Sequence, residues 1–457
     1  MIHSFSINGV NIVVDVNSGS VHAVDSIVSD ILSLYNEKPQ GNCPQRVFDE
    51  FSDKYSKEDL QSAYAEIIDL CNAGLLFSND EYIEISRIHK EPVIKALCLH
   101  VSHDCNMRCG YCFADTGNFK GERCIMSEQT GKKAIDFVIA NSAGRRNIEI
   151  DFFGGEPLMN FEVVKKLVFY AKKQEKLQNK NFRLTITTIN VLLDSEKLDF
   201  INKHMHNLVL SIDGRKSVND RMRKMVNKSG SYDVIMPKIQ AAANSRNQDN
   251  YYVRGTFTRH NLDFCEDVLH LADQGFKQIS IEPVVGGVDS DYSIKAEDLP
   301  TIFQQYEQLA MDYIKRRKDG RWFNFFHFMI DLTQGPCVIK RLSGCGAGCE
   351  YLAITPEGDI YPCHQFVGNR NFVMGNVHQN NFDSTKVKAF ADTNVYTKEK
   401  CKNCWAKFYC SGGCHANAYS FGGDISTPYE IGCEMEKKRI ECALYIEIMK
   451  SAEGIGC

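Results

Sequence analysis

Between residues 96 and 284, short runs of β-branched and aromatic residues alternate with longer amphipathic stretches. Six runs stand out: ALCLHVS (96–102), NIEIDFFG (147–154), FRLTITT (182–188), NLVLSID (207–213), YYVRGTFT (251–258) and QISIEPV (278–284). Between them, stretches such as SEQTGKKAIDFVIANS and NFEVVKKLVFYAKKQ carry apolar residues at helical spacing. Strands that read as near-continuous apolar runs and alternate with helices predict an α/β fold with a parallel sheet and crossovers. Six such units predict a partial (β/α)6 TIM barrel, short of the eight of a closed one.

The flanking regions read differently. Residues 1–90 open on the strand pattern FSINGVNIVVDV, turn at Asn17-Ser18-Gly19 and continue with SVHAV. Two amphipathic helices follow, SIVSDILSLY and then KEDLQSAYAEIIDLCNAGLL, which starts after Ser56 and stops near Gly74. A small β-rich start followed by helices predicts a winged-helix-like module, with Ser86–Pro92 as its linker. The boundaries that follow are 1–90, 91–325 and 326–457. The third region shows little regular pattern before its last helix, KKRIECALYIEIMK, and is rich in Gly and Cys. Metals would hold such a region together where apolar residues are too few.

Composition narrows the function. At 457 residues the chain exceeds one ordinary core. A net charge of −5 argues against a nucleic-acid or anionic-membrane surface as the main partner. The N-terminus has no basic n-region, and no stretch reaches about 18 apolar residues, so a cytoplasmic protein without a membrane partner is expected. The 19 cysteines change the picture. Disulfide frameworks belong to small secreted chains and staple them throughout, whereas ten of these cysteines fall between Cys337 and Cys442. Clustered cysteines in a reducing compartment are metal ligands first.

Cys105, Cys109 and Cys112 stand in CNMRCGYC, immediately after the first strand of the predicted barrel, on the face where barrel active sites lie. Three thiolates leave a tetrahedral site one ligand short. A zinc knuckle would borrow a distant fourth ligand; a [4Fe–4S] cluster would keep one iron open to a substrate or cofactor. FFGGEPLMN ends the second strand, LSIDG the fourth, and YVRGTFT lies on the fifth. The tail carries Cys345, then GDIYPC with Cys363, then CKNCWAKFYCSGGC with Cys401, Cys404, Cys410 and Cys414, and finally Cys433.

CNMRCGYC resembles the CxxxCxxC motif of the radical S-adenosylmethionine (SAM) superfamily, with Tyr111 as its aromatic. The resemblance implies that Cys105, Cys109 and Cys112 hold a catalytic cluster whose missing ligand is SAM, cleaved to a 5′-deoxyadenosyl radical. It further implies SAM contacts from Gly154, Gly155 and Glu156, the last toward the methionine ammonium. Ser211 and Asp213 would reach the ribose and Arg254 the carboxylate, though a barrel ion pair explains Arg254 equally. Where many relatives read TTNG, this chain reads TTIN (187–190), which leaves Asn190 without an assigned contact.

The tail resembles a SPASM domain with two auxiliary [4Fe–4S] clusters, three clusters in all; a zinc ribbon around CKNC is the alternative. By analogy Cys401, Cys404, Cys410 and Cys433 hold the outer cluster, and Cys345, Cys363 and Cys414 the inner one. Cys349, with Cys337 upstream, either completes the inner cage or leaves an open iron that binds a substrate thiol. The remaining cysteines, Cys43, Cys71, Cys98, Cys124, Cys265, Cys442 and Cys457, are expected in cores or as free thiols. The N-terminal module resembles a RiPP recognition element, which binds a precursor's leader by strand addition. A DNA-binding winged helix is the alternative, and the acidic KEDLQSAYAEIIDL speaks against it.

With these parts in this order the chain is similar to the SCIFF maturases, the CteB type of thioether-forming sactisynthase. That similarity implies a cysteine-rich ribosomally synthesised precursor as substrate and a reducing flavodoxin or ferredoxin as electron donor. Rival readings are an anaerobic sulfatase-maturating or C–C bond-forming enzyme of the same fold, and a non-catalytic iron–sulfur electron carrier.

Overall fold

The computed structural model describes residues 1–86, 93–287, 290–330, 332, 341–379 and 381–452. All but Ser86 of the predicted linker, together with Cys337 and Cys457, lies outside the described residues.

The chain begins with strands β1 (Ile2–Ile7), β2 (Val10–Asp15) and β3 (Val21–Val24), which form an antiparallel sheet in that order. Ile7 pairs with Val10 across Asn8-Gly9, whose φ angles of 49° and 77° suit the tight turn that Asn-Gly favours. Helices Ser26–Ser33, Gln45–Phe51 and Lys57–Asn72 pack on this sheet around Val13, Val28, Ile31, Leu60, Tyr64 and Ile67. Ser56 caps the third, its hydroxyl accepting from Asp59 N at 3.1 Å, as its place before Lys57 predicts. The second helix has no counterpart in the sequence reading. It is seven residues long and buries Val47 alone, too little for a periodic signal.

Strands β4 (Ala96–Ser102), β6 (Asn147–Gly154), β7 (Asn181–Thr188), β8 (Asn207–Ser211), β10 (Tyr251–Phe257) and β11 (Gln278–Pro283) are the six predicted runs. They lie side by side in chain order and pair in parallel, interrupted only by β5 (Met107–Cys109) and β9 (Arg223–Met225), which pair with each other. Every residue of β4 is buried, as expected of a strand covered on both faces. The helices between strands include Glu128–Ala140 and Phe161–Gln178, whose apolar sides join the main core.

The C-terminal region extends the same sheet. β12 (Asn324–Phe325) adds to β11, and β13 (Tyr351–Ile354) pairs in parallel with β4, followed by β14 (Asp359–Tyr361) and β15 (Gly375–Asn376). The ten-stranded sheet is therefore open, with β12 and β15 at its ends. The strand that follows Cys349 thus sits directly against β4. The last helix runs from Glu430 to Ala452, starting before the expected KKRIECALYIEIMK.

The N-terminal module docks on this region. His3 stacks on Trp405 with ring centroids 3.8 Å apart, and Asp80 accepts from Lys407 Nζ and Tyr396 Oη at 2.7 Å each. Among the described residues no helix is long and apolar enough to cross a membrane.

Candidate active site

The three-cysteine loop is held by backbone geometry. Within it β5 pairs with β9 at Met107↔Met225, Arg108↔Lys224 and Cys109↔Arg223, and Met107 is buried. Asp104 receives the Cys105 N–H at 2.8 Å and pairs with Arg123. Gly155 N donates to Ser102 O at 2.8 Å and Glu156 N to Asp104 O at 2.9 Å, so the GGEP turn is zipped to the residues leading into Cys105. A Cβ at Gly155 would lie 2.3 Å from Asp104 O, and one at Gly154, whose φ is +131°, would lie 2.1 Å from Ser102 O. Both glycines thus serve a close approach, as expected of glycine at a strand end, and the partner is the cysteine loop itself.

Glu156 is fully buried. Its Oε1 accepts from Leu158 N and Thr188 Oγ1 at 2.9 Å each, and its Oε2 from Ile189 N at 2.8 Å. Burial raises its carboxyl to about 7 against these bonds. Two of these three bonds clamp Thr188 and Ile189 of TTIN, and Glu156 is not among the residues that line the neighbouring cavity. Asn190, at φ 69°, occupies the left-handed conformation that Asn tolerates, and donates from Nδ2 to Ser211 O at 3.2 Å.

Asp213 is likewise buried behind the wall. Its oxygens lie 2.6 and 2.8 Å from Tyr111 Oη, and Oδ1 accepts from Arg223 Nε at 2.9 Å and Thr256 N at 3.0 Å. The Arg223 guanidinium also sits 5.7 Å from the Tyr111 ring centre. Asp213 therefore fixes the aromatic of CNMRCGYC to the ends of β8 and β10.

One cavity of about 210 Å³ gathers what remains: Cys105, Cys109, Tyr111 and Cys112 on one side, and Gly154, Gly155, Thr188, Ser211 and Arg254 at the strand ends. Arg254 donates to Glu282 Oε2 at 2.7 Å, and both line the cavity. His364 and Gln365, next to Cys363, complete the wall. Burial pushes the Cys105 and Cys109 thiols up to about 12 and raises Cys112, with Arg223 opposing the shift at the latter two. A metal cation bound here would displace the thiol protons.

The tail cysteines fall into two groups. Cys401, Cys404, Cys410 and Cys433 line a single cavity of about 470 Å³. Cys363 is raised by burial and then by Cys414 and Cys345, which places these three close enough to act on one another. Cys349 is buried, donates to Gly346 O at 3.4 Å and is raised to about 12 by burial, with Cys345 among its neighbours. Lys398, 1% exposed, reaches both groups. Its Nζ donates to Gly412 O at 2.8 Å, and Cys401, Cys410, Cys414 and Cys433 all raise its pKa against the lowering effect of burial.

Residues 95–236 match the family described as a 4Fe–4S single cluster domain, and residues 345–405 match SPASM, an iron–sulfur cluster-binding domain. The chain is 25% identical over 334 residues to a cysteine-type anaerobic sulfatase-maturating enzyme of Clostridium novyi (strain NT), covering 69% of this chain and 86% of that one. It is 22% identical over 456 residues to the radical SAM cyclopropyl synthase TigE of Paramaledivibacter caminithermalis, covering 92% and 90%. These matches support the radical SAM/SPASM peptide or sulfatase maturase family for the chain. The fold is shared with the crystal structure of Streptococcus suis SuiB bound to precursor peptide SuiA. The two superpose with a TM-score of 0.54 at 16% identity, over 93% of this chain and 96% of SuiB.

The donor sets fit the family's clusters. Soft thiols gathered at one cavity suit iron–sulfur ligation. Lys398 gives an independent sign, because a buried ammonium without a carboxylate is costly. Among the described residues it makes no ion pair, and cysteines from both tail groups surround it. Anionic thiolate-bound clusters held by these cysteines would supply the missing counter-charge.

Several residues of this maturase site escaped the sequence reading. Arg223 lies in RMRKM, which has no pattern of its own. Glu282 ends a strand and was open to the same positional argument as Arg254. His364 and Lys398 flank cysteine motifs, and neighbouring residues alone do not say which side chains point inward.

Proposed function

We propose that this protein is a radical SAM peptide maturase that forms thioether bonds, cysteine sulfur to carbon, in a cysteine-rich ribosomally made precursor. The single observation that carries the reading is the shared cavity, lined at once by Cys105, Cys109 and Cys112 and by His364 and Gln365 beside Cys363. A peptide there lies between a site for radical generation and an inner thiolate site.

Cys105, Cys109 and Cys112 would hold a cluster supplying the electron that cleaves SAM to methionine and a 5′-deoxyadenosyl radical, which takes hydrogen from the acceptor residue to give 5′-deoxyadenosine. The precursor thiolate then bonds to the carbon radical, and the electron this releases would pass to clusters held by the tail cysteines. Ser211 and Arg254 line the cavity and contact the ribose and carboxylate of SAM. The Gly154-Gly155 backbone shapes the floor, while Glu156 and Asp213 act from behind by holding Ile189 and Tyr111. Cys345, Cys363 and Cys414 hold the inner auxiliary cluster with Cys349 outside it, and Cys401, Cys404, Cys410 and Cys433 hold the outer one. Phe153, Val284 and Val285 on the cavity wall keep water from the reacting carbon.

Residues 1–90 bind the leader. Strand β3 is an edge strand whose outer side pairs with no other strand among the described residues, and such an edge accepts an added strand. TigE matches 92% of this chain, so that likeness reaches into the first 90 residues, whereas the sulfatase-maturating relative matches 69%. A ferredoxin or flavodoxin in a reducing cytoplasm supplies the electron.

The test is anaerobic: cluster-loaded protein with SAM, dithionite and a cysteine-rich precursor, read by high-resolution mass spectrometry with thiol alkylation. Loss of two hydrogens per cross-link with matching loss of alkylable thiols supports the proposal. Loss of two hydrogens with every thiol still alkylable points to C–C bond formation instead, and 5′-deoxyadenosine without peptide change refutes this substrate. Cluster-loaded protein that makes neither product is an electron carrier.

A further inference from the structure

His103, Cys124 and Glu357 come from three distant segments: the exit of β4, the loop before helix Glu128–Ala140, and the turn between β13 and β14. One ligand atom from each lies within 4.8 Å of the other two. The segments are already joined, since His103 N donates to Cys124 O at 2.8 Å and Cys124 Sγ to Glu357 Oε1 at 2.9 Å. Behind them stands fully buried His100, whose Nδ1 is 3.1 Å from His103 Nε2. His100 Nε2 is buried without a partner among the described residues. Phe119 closes the far side, its ring centre 4.6 Å from both imidazoles.

We propose that His103, Cys124 and Glu357 form a binding site for a divalent cation of the zinc class, separate from the three cysteine groups. One imidazole nitrogen, one sulfur and one carboxylate oxygen make a borderline-soft donor set suited to Zn2+, with a fourth position left to water. His100 stands where a carboxylate or carbonyl usually fixes a ligating histidine, and its Nδ1 can accept the His103 ring N–H and so leave the other nitrogen for the ion. His103 is buried, Cys124 partly buried and Glu357 exposed, which gives the ion a way in. Binding displaces the Cys124 thiol proton to solvent and changes no oxidation state. The ion staples the lead-in of Cys105 to the hairpin that runs on to Cys363, fixing two cysteine-bearing segments against each other.

The site is tested on cluster-loaded protein equilibrated anaerobically with zinc chloride and then desalted. Zinc is counted by elemental analysis, and its surroundings are read at the zinc X-ray edge, to which iron does not contribute. The expected result is about one retained zinc per chain, with a single sulfur neighbour near 2.3 Å and nitrogen or oxygen otherwise. Cys124→Ala and Glu357→Gln should each lower retention by about tenfold or more at unchanged iron content. Wild-type protein that keeps no zinc, zinc surrounded mainly by sulfur, or equal retention in Cys124→Ala would overturn the proposal.

Discussion

The hydroxyl of Tyr111 lies 2.6 and 2.8 Å from the two oxygens of Asp213, joining the cysteine loop to the end of β8 across 102 residues of chain. Arg223 pairs with the same carboxylate, and the pair is almost wholly buried, at 9% and 1% side-chain exposure. Tyr111→Phe removes one donor of several and should cost about 1–2 kcal/mol. Asp213→Asn leaves the Arg223 charge buried without its partner and should cost about 3–5 kcal/mol. Thermal midpoints of the two variants check the ranking; equal losses would mean that the phenol, and not the ion pair, holds the loop.

Gly155→Ala sets a Cβ against a backbone oxygen, where no side-chain adjustment relieves the clash. The Asp104–Cys105 segment must shift, at a cost of about 1–3 kcal/mol. Iron should be lost from the three-cysteine site while the auxiliary signals persist, and electron paramagnetic resonance on the reduced protein separates the two.

Lys398→Met removes the cation between the tail cysteine groups. A reduced cluster carries one more negative charge than an oxidised one, so losing a nearby cation favours the oxidised form. Both auxiliary potentials should fall, a tenfold shift in the reduced-to-oxidised ratio corresponding to about 59 mV for one electron. A redox titration that leaves both potentials in place would show that Lys398 only fills space.

Cys349→Ser tests the inner site. Its thiol is spent on the Gly346 carbonyl. On the proposed assignment of the inner cluster to Cys345, Cys363 and Cys414, iron content and both auxiliary signals should be unchanged. Loss of the inner signal would make Cys349 a ligand.

The contact between the N-terminal module and the tail should weaken in acid. Burial alone raises the Asp80 carboxyl, but bonds from Lys407 and Tyr396 outweigh it and hold the group below its ordinary value. A carboxyl depressed on folding contributes stability above its unfolded pKa of about 4 and loses it as pH falls through the lower folded value. Asp80→Asn leaves Lys407, 3% exposed on its side chain, without a carboxylate. It should cost about 3 kcal/mol at neutral pH, with the difference from wild type shrinking below pH of about 4. Thermal midpoints against pH, with limited proteolysis of residues 1–86, measure both effects.

Six of the ten strands of the sheet were legible because each carries enough apolar residues to mark it without help from its neighbours. CNMRCGYC and the run of tail cysteines were legible for a similar reason, because their spacing is written locally; the division of the tail cysteines into two sets came from the family resemblance. Helix Gln45–Phe51 was too short and too polar to read. The tail looked irregular because β13 becomes a strand only by pairing with β4, through bonds formed between residues 255 apart at Tyr351 and Ala96.

The sequence by itself thus determined the strand–helix alternation, the location of the three-cysteine loop after the first strand, and the chemistry of its ligands. Only the tertiary structure decided which charged groups face the cavity and which stand behind it. Glu156 and Asp213 are as polar in sequence as Arg254, yet folding spends their oxygens on backbone and phenol donors, because a carboxylate taken out of water must be fully hydrogen-bonded. Lys398 met cysteines from both tail groups, and His103 met Cys124 and Glu357, only through the folding of distant segments together. Long-range packing sets which groups share a dry space, and no local pattern along the chain records it.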